Sequence, residues 1–484
     1  MTGRRLMVLG TGSDVGKSLL VAGLCRAYAR KGLSVAPFKA QNMSNNAAVT
    51  SDGGEIGRAQ ALQAHAAGVP LTVHMNPVLL KPETDVDAQV VVQGRVLGRY
   101  SASAYQRLKP ELRATVRDSL DRLSAQHDLV LVEGAGCAAE RYLRPQDISN
   151  MGLAEAADLP AVLLGDESRG GVTAAAIGHH RLWSAEDRAR VCGVIVNKFR
   201  GDPSIFAPAA ADILAETGWP VLGLLRWSQA ARALPEEDSL GYGRKTGAGG
   251  GLVIAVPELS RMANFDDLDP LIAEPGVDLR WVKPGQAIPG DADVVLLLGS
   301  KTTRPALEAF RAEGWDIDLR AHLRRGGRVA GLCAGYQMLG QVVRDPDGIE
   351  GAPGDTTGLG LLEIETTIAA EKRLVEVEAQ DSISGTRVTG YEMHMGRTEG
   401  PGLTKPWLRL EGRDEGAVSG DGLVSGCYLH GLFASDPFRQ HWLTRMGGQA
   451  SGAGHRARLD QALDDFADEI AADLDLDALL ALAR

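Results

Sequence analysis

The chain has 484 residues, of which 44% are hydrophobic, 23% are charged and 59 are glycine, a composition typical of a globular protein with several domains and many loops. Its net charge of −11 is spread along the chain without a basic tract, so we expect no nucleic-acid partner. No apolar run approaches the ~20 residues that span a bilayer, and the N-terminal MTGRRLMVLGTG lacks an apolar signal segment, so we predict a cytoplasmic protein without a membrane partner.

Short apolar segments alternate with helical patterns in the first half of the chain. The predicted strands are Arg5–Leu9, Leu33–Phe38, Asp128–Val132, Pro160–Leu164 and Val191–Val196, and helical patterns cover 18–32 and 206–218. This alternation predicts an α/β fold with a doubly wound, mostly parallel sheet, which we assign to a P-loop domain over residues 1–235. Residues 236–250 are first charged and then rich in glycine, and we predict that they form a linker.

The second half repeats the alternation and predicts a second α/β domain over residues 251–445. The predicted strands are Gly251–Val256, Asp278–Val282, Asp293–Leu298 and Arg328–Leu332, and one helix is predicted over 303–324. Shorter strand-like pieces follow at GLGLLEIETT, GYEMHMGRT and GLVSGCYLHGLF. Residues 446–484 are a predicted helical tail, whose apolar residues recur at helical spacing and favour a packing or docking helix.

The stretch GTGSDVGKS, residues 10–18, stands between the first predicted strand and a helix. Backbone N–H groups of such a loop point at phosphate, the helix dipole adds to the attraction, and the lysine brings a mobile positive charge. Its outer glycines are six positions apart instead of five, a spacing that resembles dethiobiotin synthetase-like enzymes, which activate carboxylates with ATP. The predicted nucleotide-binding residues of the loop are Thr11, Gly12, Ser13, Gly16, Lys17 and Ser18.

Polar residues at the ends of later strands complete the predicted ATP site. Lys39 follows the second strand and is placed to neutralise phosphate, and Asn197 follows the fifth strand and is predicted to contact the base. Ser18 and Glu133 are predicted Mg²⁺ ligands, because the metal prefers hydroxyl and carboxylate oxygens. Asp52 in SDGGEIG is a further predicted ligand, although a polar turn explains this segment almost as well.

The five cysteines are scattered along the sequence, which argues against a disulfide framework and a structural zinc site. One of them, Cys333 in GLCAGYQ, stands between two glycines where a strand is predicted to end and a helix to begin. This pattern resembles the nucleophile elbow of class I glutamine amidotransferases, in which a thiolate attacks the glutamine carboxamide and ammonia is released. The alternative is a small buried thiol, and we predict that role for the other four, in helix or strand patterns.

The same resemblance implies that His430 in GCYLHGLF is the base that activates Cys333. Most class I amidotransferases have a glutamate two residues after this histidine, where this chain has Leu432. The third member of the site therefore stays open, with Glu392 and His394 as candidates. The segment LLLGSK at 296–301 is predicted to offer backbone N–H groups to an oxyanion.

Longer segments are more specific. KAQNMSNN at 39–46, MNPVLLKP at 75–82 and YLRPQDISNMGLA at 142–154 resemble the cobyric acid synthase family, and the resemblance covers nearly the whole chain. It implies glutamine- and ATP-dependent amidation of the b, d, e and g carboxylates of adenosylcobyrinic acid a,c-diamide, through acyl phosphates, in cobalamin biosynthesis. The implied partners are this corrinoid and L-glutamine, and ATP and Mg²⁺ are the implied cofactors.

Two segments receive roles from this resemblance alone. Asp147 in QDISN matches a family acidic residue associated with the synthetase site, and we predict that it orients or activates the acceptor or ammonia. A helix N-cap is the competing interpretation of Asp147. The amides of QNMSNN and MNP are predicted to line the corrin pocket, with a polar loop as the alternative.

Two other functions remain as hypotheses. One is an amidoligase with a different substrate, such as the enzyme that makes the a,c-diamide. The other is a P-loop partitioning or regulatory ATPase whose amidotransferase-like domain is not catalytic. The QNMSNN and MNPVLLKP segments and the Cys333–His430 pair favour the corrinoid amidoligase. The sequence leaves the oligomeric state open, a homo-oligomer included.

Overall fold

The computed structural model describes residues 3–83, 86–235 and 251–484. The chain divides into two compact units, of which the first is Met1–Glu237 with Leu459–Arg484 and the second is Asp238–Arg458. The predicted linker at 236–250 lies outside the described residues. The predicted tail over 446–484 is not one separate segment, because the structure assigns its last part to the first unit.

Among the described residues up to 235, the first unit contains twelve strands and seven helices. The strands are β1 (Arg4–Gly10), β2 (Val35–Phe38), β3 (Gln41–Met43), β4 (Ala47–Val49), β5 (Glu55–Gly57), β6 (Val78–Pro82), β7 (Asp87–Val92), β8 (Arg95–Ser101), β9 (Leu129–Glu133), β10 (Ala161–Asp166), β11 (Val191–Phe199) and β12 (Val221–Arg226). The helices are α1 (Lys17–Arg30), α2 (Arg58–Ala67), α3 (Ala102–Gln126), α4 (Met151–Ala156), α5 (Val172–Leu182), α6 (Ala185–Ala189) and α7 (Ala207–Thr217).

A six-stranded parallel sheet in the order β12-β11-β10-β1-β9-β2 forms the centre of this unit. Side chains of β1 alternate between two hydrophobic clusters, with Met7 and Leu9 in one and Leu6 and Val8 in the other. Helices cover both clusters, so the predicted doubly wound α/β fold is confirmed. The carboxyl ends of β1, β2, β9 and β11 meet at one edge of the sheet, where ligands of such folds bind.

Two further pieces of the first unit were missed by the sequence interpretation. Strands β3, β6, β7 and β8 form a four-stranded sheet, and β4 pairs with β5. The strands β3, β4 and β5 have three residues each, and β3 reads QNM. A segment that short and polar has no alternation of apolar and polar residues from which a strand can be predicted.

The second unit contains fifteen strands and five helices among its described residues, followed by two helices at the C-terminus. The strands are β13 (Leu252–Pro257), β14 (Met262–Ala263), β15 (Val277–Val282), β16 (Val294–Leu297), β17 (Gly299–Ser300), β18 (Arg328–Leu332), β19 (Val342–Asp345), β20 (Gly354–Thr357), β21 (Glu365–Asp381), β22 (Arg387–Glu399), β23 (Leu408–Leu410), β24 (Arg413–Glu415), β25 (Ala417–Val418), β26 (Val424–Cys427) and β27 (Leu429–His430). The helices are α8 (Asp269–Ile272), α9 (Thr303–Ala312), α10 (Trp315–Arg324), α11 (Ala334–Leu339), α12 (Asp436–Arg445), α13 (His455–Asp473) and α14 (Leu476–Leu482).

The main sheet of the second unit has the order β15-β13-β16-β18-β26-β25, and its first five strands are parallel. A second sheet pairs β22 with β27 and thereby places Tyr391 opposite His430. The single helix predicted over 303–324 is wrong, because the structure has two helices there. Gly314 lies between them with φ 74°, a left-handed conformation that ends a helix and that glycine adopts without strain.

The C-terminal helices pack against α1 of the first unit. An ideal Cβ on Gly23 of α1 would lie 2.3 Å from Ile470 Cδ1, so the two helices approach closely at this glycine. Arg26 of α1 donates hydrogen bonds of 2.8 and 2.9 Å to the two carboxylate oxygens of Asp464. The predicted single helix ends at Asp473, and Asp475 caps a new helix by accepting hydrogen bonds from two backbone N–H groups.

We expect Ile470→Ala to destabilise the first unit. Ile470 is 1% exposed, and the substitution leaves a cavity against α1, which costs about 2–5 kcal/mol of unfolding free energy. Hydrogen exchange of the α1 and α13 amides measures this loss. Asp468→Ala on the solvent side of the same helix removes an ion pair to Arg30 and should change the free energy by less than about 1 kcal/mol. Equal protection of the α1 amides in both variants would contradict the docking of this helix.

Candidate functional site

The loop after β1 is held by residues from the end of β11. Asn197 Nδ2 donates a 2.8 Å hydrogen bond to the Val15 carbonyl, and Lys198 Nζ donates a 2.6 Å hydrogen bond to the Asp14 carbonyl. Gly16 has φ 96°, and an ideal Cβ there would lie 2.4 Å from Asn197 Nδ2, so only glycine fits. Asn197 thus shapes the phosphate loop, whereas its predicted contact with a base remains a prediction.

Lys17 is the first residue of α1 and lies over this loop. Its Nζ donates hydrogen bonds of 2.8 Å to the Gly12 carbonyl and 2.9 Å to the Gly136 carbonyl. Burial lowers the pKa of Lys17, with Glu133 opposing the shift and Lys39 adding to it. Thr11 and Ser13 belong to the same loop, between the end of β1 and α1. The geometry places a cation beside the backbone that is predicted to hold phosphate.

Glu133, at the end of β9, is fully buried and has three polar neighbours. Ser18 Oγ donates to its Oε1 at 2.7 Å, Lys39 Nζ lies 2.8 Å from the same oxygen, and Gln63 Nε2 donates to Oε2 at 2.7 Å. Burial opposes the charged form, but Lys39 and the hydrogen bonds outweigh it and hold the pKa of Glu133 below its ordinary value. The structure therefore brings the predicted residues Ser18, Lys39 and Glu133 together around one carboxylate.

Gln63 in α2 is the member of this group that sequence reasoning missed. It is fully buried, and its amide bridges Glu133 and the Ser18 carbonyl, the latter at 3.1 Å. A glutamine in the pattern RAQALQAHAA carries no motif that distinguishes it from other polar residues of an alanine-rich helix. Only the packing of α2 against α1 brings it to the carboxylate.

Asp52 is not part of this group. It lies in the turn between β4 and β5, where its Oδ2 accepts hydrogen bonds from Thr72 Oγ1 at 2.8 Å and the Val73 N–H at 3.2 Å. Its neighbour Glu55 is buried in a 2.5 Å ion pair with Lys81. The contacts of Asp52 are those of a polar turn, the alternative considered for this segment, and they do not join it to Glu133.

The residues around Glu133 suit Mg²⁺, although they do not form a cage. Within the described ranges, no group of three or more His, Cys, Asp or Glu side chains is placed to hold a metal ion. Mg²⁺ in nucleotide sites is held by one or two protein oxygens together with phosphate oxygens and water. Glu133 and the Ser18 hydroxyl, 2.7 Å apart, supply that number of protein ligands.

Asp147 makes the contacts of a helix cap. Its Oδ1 accepts hydrogen bonds from the N–H groups of Ser149 at 2.9 Å and Asn150 at 3.0 Å, and its Oδ2 accepts one from the Gly152 N–H at 2.8 Å. Asp147 is 8% exposed, and these donors occupy both of its oxygens. The capping interpretation explains this geometry, and a role toward the acceptor or ammonia remains a prediction.

Two of the amides predicted to line a corrin pocket, those of Asn42 and Asn76, donate hydrogen bonds to other residues of the first unit. Asn42 Nδ2 donates to Gln60 Oε1 at 3.0 Å, and Asn76 Nδ2 donates to the Lys39 and Val78 carbonyls, each at 3.0 Å. Both asparagines are buried, whereas Met43, next to Asn42 in the sequence, is 54% exposed. Asn42 thereby joins β3 to α2, and Asn76 joins the segment before β6 to the end of β2. The polar-loop alternative accounts for these contacts.

Cys333 of the second unit lies in the tight turn that joins β18 to α11. Its φ is 53°, a strained conformation for a residue other than glycine, worth roughly 1–3 kcal/mol. An ideal Cβ on Gly335 would lie 2.1 Å from the Leu297 carbonyl oxygen, and one on Gly331 would lie 2.7 Å from Gly335. Close packing explains the flanking glycines, and the strained turn presents the thiol at the N-terminus of α11.

His430 lies beside Cys333. An ideal Cβ on Gly299 would lie 3.7 Å from both Cys333 Cβ and His430 Cε1, which places Gly299 next to both side chains. Burial disfavours the charged imidazole, but Asp267 and Cys333 outweigh it and raise the pKa of His430 to about 10. Its Nε2 is buried, and the neighbouring Cys333 favours the protonated ring. The structure thus brings the predicted pair together, with Gly299 of the predicted oxyanion segment adjacent.

The Nδ1 atom of His430 contacts a residue that the sequence interpretation did not consider. Asp267 Oδ2 lies 2.7 Å from Nδ1, and Leu432, at the position of the usual glutamate, is buried. Glu392 is instead paired with Arg373 and Arg413, and His394 stacks on Tyr428 with ring centroids 3.7 Å apart. Among the described residues, neither of these two candidates makes a hydrogen bond to the His430 ring.

The other four cysteines do not all lie in helices or strands. Cys25, Cys192 and Cys427 lie in α1, β11 and β26, as predicted, and burial raises the pKa of each thiol. Cys137 is not in a helix or strand but in the loop after β9, where its Sγ lies 3.6 Å from His179 Nε2. The prediction of a helix or strand was wrong there, because the strand ends at Glu133.

A membrane-spanning helix is absent from the ranges that the structure describes, since none of their helices is both long and apolar enough.

Residues 6–240 match the family model for the CobQ/CobB/MinD/ParA nucleotide binding domain, and residues 253–438 match that for the CobB/CobQ-like glutamine amidotransferase domain.

Curated relatives match the chain over nearly its full length. A cobyric acid synthase of Paracoccus denitrificans is 58% identical over 479 residues, covering 99% of each chain. That of Methylobacterium nodulans is 56% identical over 487 residues and 100% of each chain, and that of Bradyrhizobium sp. strain ORS 278 is 54% identical over 489 residues, 100% of this chain and 98% of the relative.

Proposed function

The chain belongs to the cobyric acid synthase family, and from this membership we propose that it amidates the b, d, e and g carboxylates of adenosylcobyrinic acid a,c-diamide. ATP activates each carboxylate, and glutamine supplies the nitrogen. The observation that supports this most directly is that one chain contains two chemically different sites. The first is the phosphate loop with Lys17 and Glu133, and the second is the Cys333–His430 pair. The first suits phosphoryl transfer, and the second suits hydrolysis of an amide.

The first unit would turn the carboxylate into an electrophile. A carboxylate resists attack by ammonia because oxide is a poor leaving group. A carboxylate oxygen attacks the γ-phosphorus of ATP, the bond to the bridging oxygen breaks, and ADP leaves. Ammonia then attacks the acyl carbon, inorganic phosphate leaves, and the nitrogen loses a proton to give the amide. Lys17 and Lys39 would neutralise the negative charge that this transfer spreads over the phosphate oxygens.

Ser18 and Glu133 are the residues that would hold Mg²⁺, which when bound supplies charge neutralisation to the phosphate oxygens. Lys39 Nζ contacts the same Glu133 oxygen that accepts the hydrogen bond from Ser18, so the lysine would lie beside the bound metal. Gln63 fixes the other oxygen of this carboxylate. Asn197 and Lys198 hold the loop through the Val15 and Asp14 carbonyls, and the backbone N–H groups of a loop held in this way would bind phosphate.

The second unit would release ammonia from glutamine. The Cys333 thiolate attacks the carboxamide carbon, and backbone N–H groups near Gly299 would stabilise the oxyanion. The C–N bond breaks as His430 gives a proton to the leaving ammonia, and a thioester remains. Water that loses its proton to His430 then hydrolyses the thioester and frees glutamate. Because most ammonia is ammonium at neutral pH, making it at the enzyme provides the reactive base form.

Product mass tests the assignment of substrate and reaction. The purified chain, incubated with the a,c-diamide, ATP, Mg²⁺ and glutamine, should give four successive products, each differing by the exchange of one hydroxyl for one amino group. Mass spectrometry follows this series. If the a,c-diamide stays unchanged while cobyrinic acid, supplied in a parallel reaction, gains two amides, the a,c-diamide reaction is the function. If no corrinoid changes while ATP is hydrolysed, the hypothesis of a partitioning or regulatory ATPase is favoured instead.

A further inference from the structure

We propose that Asp267 is the residue that orients His430 and stabilises its positive charge during glutamine hydrolysis. The inference rests on the proposed glutaminase activity and adds a positioning residue to it. Asp267 stands 163 residues before His430 in the sequence, on the opposite side of the nucleophile from the glutamate that class I amidotransferases usually carry.

Both oxygens of Asp267 are directed to the histidine segment. Oδ2 lies 2.7 Å from His430 Nδ1, and Oδ1 accepts a 2.7 Å hydrogen bond from the Gly431 N–H. The side chains of Asp267 and His430 are each 1% exposed. A buried carboxylate with both oxygens bonded to one short segment fixes the ring plane and excludes water from the contact.

This contact decides which histidine nitrogen faces the thiol. Nδ1–H donates to Asp267, which leaves Nε2 as the nitrogen that exchanges a proton with Cys333, the side chain that together with Asp267 raises the pKa of the ring. When Nε2 takes the proton of Cys333, the ring becomes positive and Asp267 offsets that charge. Tyr391 stacks on the ring at 5.2 Å with planes 21° apart and limits its rotation. Orientation and charge stabilisation are the two roles of the acid in a nucleophile–histidine–acid site.

The fold supplies the carboxylate from a short helical turn. Asn264, with φ 53°, begins the turn Phe265–Leu268, and Leu268 anchors it in the core. Strand β14, just before it, pairs with β17, which contains Gly299. The turn that carries Asp267 and the strand that carries Gly299 are therefore linked through the β14–β17 pair, and both lie next to His430 of β27. Buried Leu432 fills the position where other amidotransferases place their acid.

Other ionisable groups near His430 do not replace Asp267. Cys333 faces the ring as the partner thiol, and Glu392 is neutralised by Arg373 and Arg413. Burial lowers the pKa of His394 to about 4, and the charge of His430 contributes to that shift. His394 is thus neutral at physiological pH, and a neutral imidazole cannot offset a positive charge on His430.

Asp267→Asn in the full-length chain tests the proposal. The amide keeps the size of the side chain but removes its charge, so kcat/KM for glutamine should fall about 10²-fold or more. Amidation with ammonium chloride should continue, because it needs the first unit only, and this activity reports that the chain is folded. Asp266→Asn, one residue away, removes a charge from the same turn and leaves the Asp267–His430 contact in place, so glutaminase activity should be kept. Asp267→Glu restores the charge and should recover part of the rate.

The pH dependence of Cys333 alkylation separates positioning from a purely structural effect. Without the carboxylate the pKa of His430 falls, so the imidazolium that favours the thiolate is less stable. The midpoint for inactivation by iodoacetamide should therefore move to higher pH in Asp267→Asn and return toward the wild-type value in Asp267→Glu. A folded Asp267→Asn chain with the wild-type midpoint, or with wild-type kcat/KM, would overturn the proposal. Absence of glutaminase activity in the unmodified chain would instead refute the proposed function itself.

Discussion

Cys333→Ala abolishes amidation with glutamine and leaves amidation with ammonium salts close to the unmodified rate. The Cys333 thiol is the group that would form the thioester, so its removal ends ammonia release and leaves the residues around Glu133 unchanged. Loss of a covalent nucleophile typically costs several orders of magnitude in kcat, about 10⁶-fold in an unrelated serine protease that uses an analogous triad. Glutamate formation and amide formation are measured in parallel with each nitrogen source.

The control for this experiment is Cys427→Ala. Cys427 lies in β26 beside the elbow, is fully buried and accepts the hydrogen bond of the Cys333 N–H through its backbone carbonyl. The substitution removes a sulfur but keeps that backbone contact, so glutaminase activity should persist. If Cys333→Ala lost ammonium-dependent amidation as completely as glutamine-dependent amidation, the picture of two separable sites would be wrong.

Lys17→Ala should stop amidation with either nitrogen source while glutamine hydrolysis continues. The ammonium group lies over the loop, bonded to the Gly12 and Gly136 carbonyls, where the phosphates are expected. Removing a charge that stabilises the transferring phosphoryl group should lower kcat for amidation by about 10²–10³-fold. Burial of Lys17 opposes its charge, so alanine at this position should not unfold the unit. ADP release is followed with the a,c-diamide present.

Lys31→Ala provides the matched control, since Lys31 follows the last turn of the same helix. Its Nζ contacts Asp477 at the surface, where both side chains are largely exposed. An exposed ion pair contributes little to stability, and amidation should proceed normally. Normal ATP turnover in Lys17→Ala would remove the loop from its proposed role.

The sequence predicted the parts of each site that lie within one short segment. The phosphate loop and the elbow around Cys333 each need a fixed run of small residues, because a side chain at Gly16 or Gly335 would collide with neighbouring atoms. Such local steric demands leave a pattern in consecutive residues. Alternating strands and helices leave another, since burial on both faces of a parallel sheet produces apolar runs at regular intervals.

Contacts between distant segments left no such pattern. NFDDLD, residues 264–269, contains three carboxylates, and nothing in its composition indicates that Asp267 is the one that meets His430. Gln63 was equally indistinct from its neighbours in α2, and for Asp52 the sequence left a metal ligand and a polar turn almost equally plausible. The tail was predicted as amphipathic, but only packing could show that its apolar face matches α1 at Gly23.

By itself, then, the sequence determined the α/β architecture, the phosphate loop and the cysteine elbow, because each depends on the chemistry of neighbouring residues along the backbone. The tertiary structure alone decided which carboxylate supports His430, which residues surround Glu133 and where the C-terminal helices pack. Those choices depend on which side chains the folded sheets bring within hydrogen-bonding distance, and distance in space is not encoded in the spacing of any single segment.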